Sequence, residues 1–104
     1  MSSVFKALSD PTRRRVLELL RGGPMTAGEL ADHFRVSKPT MSAHFAVLRE
    51  AGLIASERRG TSVVYELQLS VLEDALLTFA GVFGWELRER RARPRRAASP
   101  ALGR

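Results

Sequence analysis

A mainly α-helical fold carrying a two-stranded β element is predicted by three observations. Apolar residues recur at helical spacing in five segments of the 104-residue chain. Between Leu53 and Leu67 that period gives way to two short strand-like runs. Capping residues and glycine or proline stops mark the joints between the segments.

Val4, Phe5 and Leu8 lie on one side of a short first helix. Ser9-Asp10-Pro11 reads as a cap followed by proline at the first helical position, where its missing N–H costs nothing. The second helix is predicted over Pro11–Leu20, with Val16, Leu17, Leu19 and Leu20 as its apolar side and Gly22-Gly23-Pro24 as its stop. Thr26 and Glu29 have the spacing of a capping box and open a third helix to Phe34, with Leu30, Ala31 and Phe34 facing inward. Arg35-Val36-Ser37 is read as a three-residue turn, and Ser37 as the cap of a fourth helix with Pro39 in its first turn. Met41, Phe45 and Leu48 step by four and three along one face of that helix, and Ala51-Gly52 closes it. Residues 53–58 and 62–67 are the two strands, joined by Arg59-Gly60-Thr61 as a tight hairpin. Ser70 is read as the cap of a last helix to about Arg90, long enough to span about 30 Å. Its stripe is Leu72, Leu76, Phe79 and Phe83. Trp85 fits core, seam or edge equally.

The bulk properties fit one domain over residues 1–91 followed by a disordered tail over 92–104 made of arginine, alanine, proline, serine and glycine with almost no large apolar residue. The net charge is +6, and its position is more informative than its size. Seven arginines and one acid lie between Arg88 and Arg104, so residues 1–87 carry ten basic and ten acidic groups. The tail arginines are either an arm with nonspecific affinity for DNA or solubilising residues. A high isoelectric point therefore says little about the folded part, and a nucleic-acid reading has to rest on individual residues. The chain has no cysteine, which excludes disulfides and thiolate chemistry. Neither a signal peptide nor an apolar run near the 20 or so residues of a membrane span is present, so a soluble cytoplasmic protein with no membrane partner is expected.

A short helix, a tight turn, a second helix and a hairpin in this order form a winged helix-turn-helix. B-DNA's major groove admits one α-helix, so a small protein that reads it must hold one helix proud of its body. Here that helix is residues 38–50, braced by Leu30 and Phe34 against Met41 and Phe45. Its outer N-terminal face carries Lys38, Pro39, Thr40, Ser42, Ala43 and His44, which are small and polar enough to approach base edges. Serine and threonine can bond bases or phosphates, and alanine can touch a thymine methyl. The wing, residues 55–67, offers Arg58, Arg59 and Thr61 to phosphates or the minor groove, contacts that position more than they specify. Arg13-Arg14-Arg15 is read as a solvated face, with room for one phosphate contact. His33 and His44, the two histidines, lie on different helices and make poor metal ligands, so no cofactor or metal is expected. No paired carboxylates, glycine-rich phosphate loop or nucleophile–base pair suggests an enzyme.

Several stretches resemble the ArsR family of winged-helix repressors: residues 5–14 (FKALSDPTRR), 25–31 (MTAGELA), 36–45 (VSKPTMSAHF), 48–54 (LREAGLI), and Arg58-Arg59-Gly60 with Val64-Tyr65-Glu66-Leu67. The likeness covers about residues 4–85 and is nearest the autorepressor branch that lacks metal-binding cysteines. It implies repression and a homodimer built from the first and last helices that binds a palindromic double-stranded DNA operator. Val4, Phe5, Leu8, Leu72, Leu76, Phe79 and Phe83 would form the seam. The sequence departs from the family at Ala43, where members often carry histidine, which bears on the operator and not on the binding mode. The arginine tail is outside the family pattern. Two other readings use the same fold. A ligand- or metal-responsive sensor would need an effector site, and no small-molecule effector is evident. A winged-helix protein-interaction module would favour acidic residues on the outer face of helix 38–50, where Lys38, Thr40, Ser42 and His44 stand instead.

Overall fold

In the computed structural model, which describes residues 2–84, helices α1 (Ser2–Leu8) and α2 (Pro11–Leu20) are followed by strand β1 (Met25–Thr26) and helix α3 (Ala27–Ala31). Helix α4 (Lys38–Glu50), strands β2 (Ile54–Arg59) and β3 (Ser62–Leu67), and helix α5 (Leu69–Val82) complete the order. The chain divides into two units, residues 1–72 and residues 73–104. Expectations for Trp85, for a domain edge at 91 and for the tail lie outside the described residues.

The caps read from the sequence set the helix starts. Asp10 accepts from the backbone N–H groups of Thr12 and Arg13 at 2.8 and 3.1 Å, and Pro11 opens α2. The capping box is complete, with Thr26 N–H donating to Glu29 Oε1 at 2.9 Å and Glu29 N–H to Thr26 Oγ1 at 3.0 Å. Helix α4 ends in a Schellman motif: Gly52 N–H donates to Arg49 O and Leu53 N–H to Leu48 O. Gly52 sits at φ +79°, in the left-handed region that glycine enters without a Cβ clash.

Within the first unit, α1 packs on α2 and α4, α2 on α4 and β3, and α4 on β2. Val16, Leu30, Leu48 and Leu53 have no exposure at all, and Met41 and Ile54 have 2%. The sheet has the order β1-β3-β2, with both pairs antiparallel and Ser56 opposite Tyr65. The hairpin turns at Gly60, φ +64°.

Five details differ from the sequence reading. The sheet has a third strand, because Met25 and Thr26 pair with Tyr65 and Val64; two residues are too few to show alternation. Helix α3 stops at Ala31, so the connection to α4 is longer than Arg35–Ser37. Helix α3 packs on β1 and β3, and Phe45 of α4 meets Tyr65 of β3. Ser70 lies inside α5, which starts at Leu69 and ends at Val82 before Gly84 at φ +73°. At 14 residues α5 is about 21 Å long, shorter than expected. Val4, placed on the dimer face, is 5% exposed and already used in the chain's own core.

No helix among the described residues is long and apolar enough to cross a membrane. None of their His, Asp and Glu side chains gather in threes where a metal ion would sit.

Candidate nucleic-acid interface

Helix α4 has two contrasting faces. Met41, Phe45 and Leu48 point inward, 2%, 5% and 0% exposed. The Phe45 ring lies 4.7 Å from Tyr65 of β3, which joins the helix to the root of the wing. Lys38, Pro39, Thr40, Ser42 and Ala43 are all exposed on the other face. The first turn is held by Ser37, whose Oγ accepts from Thr40 N–H at 3.2 Å and donates to Thr40 Oγ1 at 2.9 Å. Helix α4 therefore presents an N-terminal turn with the Lys38 backbone N–H, a hydroxyl pair and one ammonium, an arrangement suited to anionic oxygens. A cleft of about 240 Å³ beside it is lined by Ala27, Gly28 and Ala31 of α3 and by Lys38, Met41, Ser42 and Phe45 of α4.

At the tip of the wing Arg58, Arg59 and Thr61 are exposed. Arg59 Nη2 donates to Glu57 Oε1 at 3.2 Å, a surface ion pair that the sequence reading did not anticipate. Such a pair contributes little to stability.

His44 is placed differently from the rest of the predicted set. Its side chain is 16% exposed and turns toward α2. Nδ1 lies 3.2 Å from Arg13 Nη1, and Nε2 lies 4.0 Å from Asp10 Oδ2. Arg13 also donates through Nε to Ala7 O at 2.7 Å and through Nη2 to Lys6 O at 3.1 Å, at the end of α1. The triple arginine is thus no uniform solvated face. Arg13 is half-buried with each of its three side-chain nitrogens in a hydrogen bond, Arg14 donates to Leu8 O at 2.7 Å, and Arg15 pairs with Glu18 at 2.9 Å. Desolvation opposes ionisation of Asp10, but the N–H groups of Arg13 and Thr12, then the charges of His44 and Arg13, hold its carboxyl below the usual carboxylate range. Sequence reasoning found Asp10 as a cap and missed its second role. The only signal was an arginine three residues after the cap, which acquires meaning once α4 is placed beside α2.

The residues proposed for the dimer seam fall into separate groups. Phe5, Leu8 and Leu72 are half-buried. Leu76, Phe79 and Phe83 of the second unit are 42%, 40% and 57% exposed, with Val82 at 71% beside them. Phe79 and Phe83 meet edge to face at 5.2 Å.

A short helix, a connection, an exposed polar helix face and a basic-tipped hairpin define a winged helix-turn-helix protein, a class built to bind DNA. A family profile described as a helix-turn-helix domain matches residues 8–57. Over 76 residues the chain is 50% identical to the transcriptional repressor SdpR of Bacillus subtilis, covering 73% of this chain and 84% of SdpR. It is 36% identical over 73 residues to an arsenical resistance operon repressor of Staphylococcus xylosus, covering 70% of each. Among solved structures, an ArsR-like transcriptional regulator from Rhodococcus sp. RHA1 superposes with a TM-score of 0.69 at 31% identity, over 88% of this chain and 85% of that one. The chain belongs to the ArsR family and is a DNA-binding transcriptional repressor of that family.

Proposed function

We propose that the protein is a homodimer that silences a promoter, its own or a neighbouring one, by occupying a palindromic operator in the cytoplasm. Helix α4 enters the major groove and reads it with Lys38, Thr40, Ser42 and Ala43, with Pro39 at the groove edge. Arg58, Arg59 and Thr61 rest on the flanking backbone or minor groove. The observation that carries this reading is the division of α4 into a fully buried apolar face and an exposed face of small polar residues without one acid in its first two turns. His44 is left out of the base-reading set because its ring nitrogens face Arg13 and Asp10.

The dimer is proposed to form through the exposed stripe Leu76, Phe79 and Phe83 of the second unit. A two-fold dimer matches a two-fold operator, which is why palindromy accompanies dimerisation.

Fluorescence-anisotropy titration onto the DNA upstream of the protein's own coding region tests the proposal. It is run across salt, with the full chain and with a chain ended at residue 91. Tight binding that survives nonspecific competitor in both forms is expected. Binding that is weak, steeply salt-dependent and lost with the arginine tail would refute an operator there read by the winged helix.

A further inference from the structure

We propose that His44 is a positioning residue for DNA binding: it accepts the hydrogen bond that closes a latch between the recognition helix and the end of α1, and protonation of its Nδ1 opens that latch. The inference rests on the DNA-binding reading for its effect and on geometry alone for its existence.

Arginine has donors only and stays protonated. A ring nitrogen 3.2 Å from Arg13 Nη1 must therefore be the unprotonated one, so His44 carries its proton on Nε2, the nitrogen 4.0 Å from Asp10 Oδ2. The same guanidinium holds Ala7 O and Lys6 O. One rigid planar group thus ties the end of α1 to the middle of α4. Protonation turns Nδ1 into a donor facing a donor and adds a second positive charge beside the first. The partner then left to the imidazolium is Asp10, which has no bond to α1. Protonation exchanges a tie that reaches α1 for one that stops at the cap of α2.

The charged surroundings are few. Helix α2 and its cap supply Arg13 and Asp10. Helix α1 supplies backbone carbonyls, with the Lys6 side chain exposed. On β2, Glu57 and Arg59 pair with each other and Arg58 is exposed. One turn away on α4 itself stand Thr40, Met41, Val47 and Leu48, all uncharged. The latched state holds one proton fewer, so it is favoured as pH rises and lost as pH falls.

The test compares the full-length wild type with His44→Asn, which sets a carbonyl oxygen near the place of Nδ1 and does not titrate, and with His44→Ala, which has no acceptor. Imidazole nitrogen shifts are first measured by NMR without DNA, with exposed His33 as the internal reference. Near neutral pH His44 is expected as the Nε2–H tautomer in the wild type and as a tautomer mixture in Arg13→Gln. Anisotropy on the labelled upstream duplex then follows affinity from about pH 7.5 down to about pH 5.5, the interval in which histidine titrates. The wild type is expected to lose about tenfold more affinity than His44→Asn over that interval, the size of one hydrogen bond to a charged group. His44→Ala should be weak throughout, with circular dichroism showing it folded. Parallel pH profiles for wild type and His44→Asn overturn the proposal, as does a proton found on Nδ1 near neutral pH. If no form binds DNA at any pH, the DNA-binding reading fails, and the tautomer alone decides whether the latch exists.

Discussion

Phe45→Ala removes the ring that seats helix α4 on the sheet. Phe45 is 5% exposed, between Met41 at 2% and Leu48 at 0%, and its ring lies 4.7 Å from Tyr65 at an interplanar angle of 33°. Truncating a buried phenylalanine costs about 3–5 kcal/mol, because the lost transfer energy is joined by a cavity that neighbours fill only in part. Of that, about 0.5–1.5 kcal/mol belongs to the ring pair, which Phe45→Leu would remove while keeping most of the volume. At about 4–8 °C per kcal/mol for a domain of this size, the alanine variant should melt on the order of 20 °C lower. The assay is urea unfolding followed by far-UV circular dichroism at fixed protomer concentration, since a dimer's stability depends on concentration. Val36→Ala, at a side chain 43% exposed, serves as the control and should stay within about 0.5 kcal/mol of wild type. A Phe45→Ala chain as stable as that control would mean that α4 is not seated through this face, and the assignment of its outer face would fall with it.

Thr26→Ala removes the hydroxyl that accepts from Glu29 N–H, while the backbone N–H of residue 26 can still donate to Glu29 Oε1, and should cost about 1 kcal/mol in the same unfolding assay. Phe79→Asp places a charge in the exposed stripe of α5 and should convert the dimer to a monomer in sedimentation; an unchanged dimer would remove that stripe from the interface. Arg58→Ala and Arg59→Ala should each reduce the salt dependence of DNA affinity by about one unit of log–log slope without changing preference among sequences. A changed preference would make the wing a reader and not a clamp.

The element order and the face of α4 were legible because local chemistry decides them. Asp10, Thr26 and Ser37 can satisfy orphan N–H groups only at helix starts, and Gly52 takes a conformation that a Cβ would penalise. The spacing of Met41, Phe45 and Leu48 permits one inward face. What stayed hidden depends on tertiary placement. Strand β1 exists because β3 offers it an edge, and two residues leave no pattern of their own. The sequence reading runs α5 too far because the apolar period continues past Val82 to Phe83, while Gly84 at φ +73° follows the last helical turn. His44 was placed outward by helical position alone. Its partners lie 31 and 34 positions earlier in the chain, and no local pattern links them.

The central claim is that the exposed face of α4 reads DNA, and Ser42→Glu tests it most directly. Ser42 is exposed and its side chain makes no hydrogen bond among the described residues, so the substitution should leave the unfolding curve within about 0.5 kcal/mol of wild type. It sets a carboxylate where base edges and phosphates would approach, a juxtaposition of like charges that costs several kcal/mol. Anisotropy titration on the upstream duplex should show affinity reduced more than about a hundredfold in a folded, dimeric protein. Undiminished, competitor-resistant binding by Ser42→Glu would contradict the account and send the search for the reading surface elsewhere on the molecule.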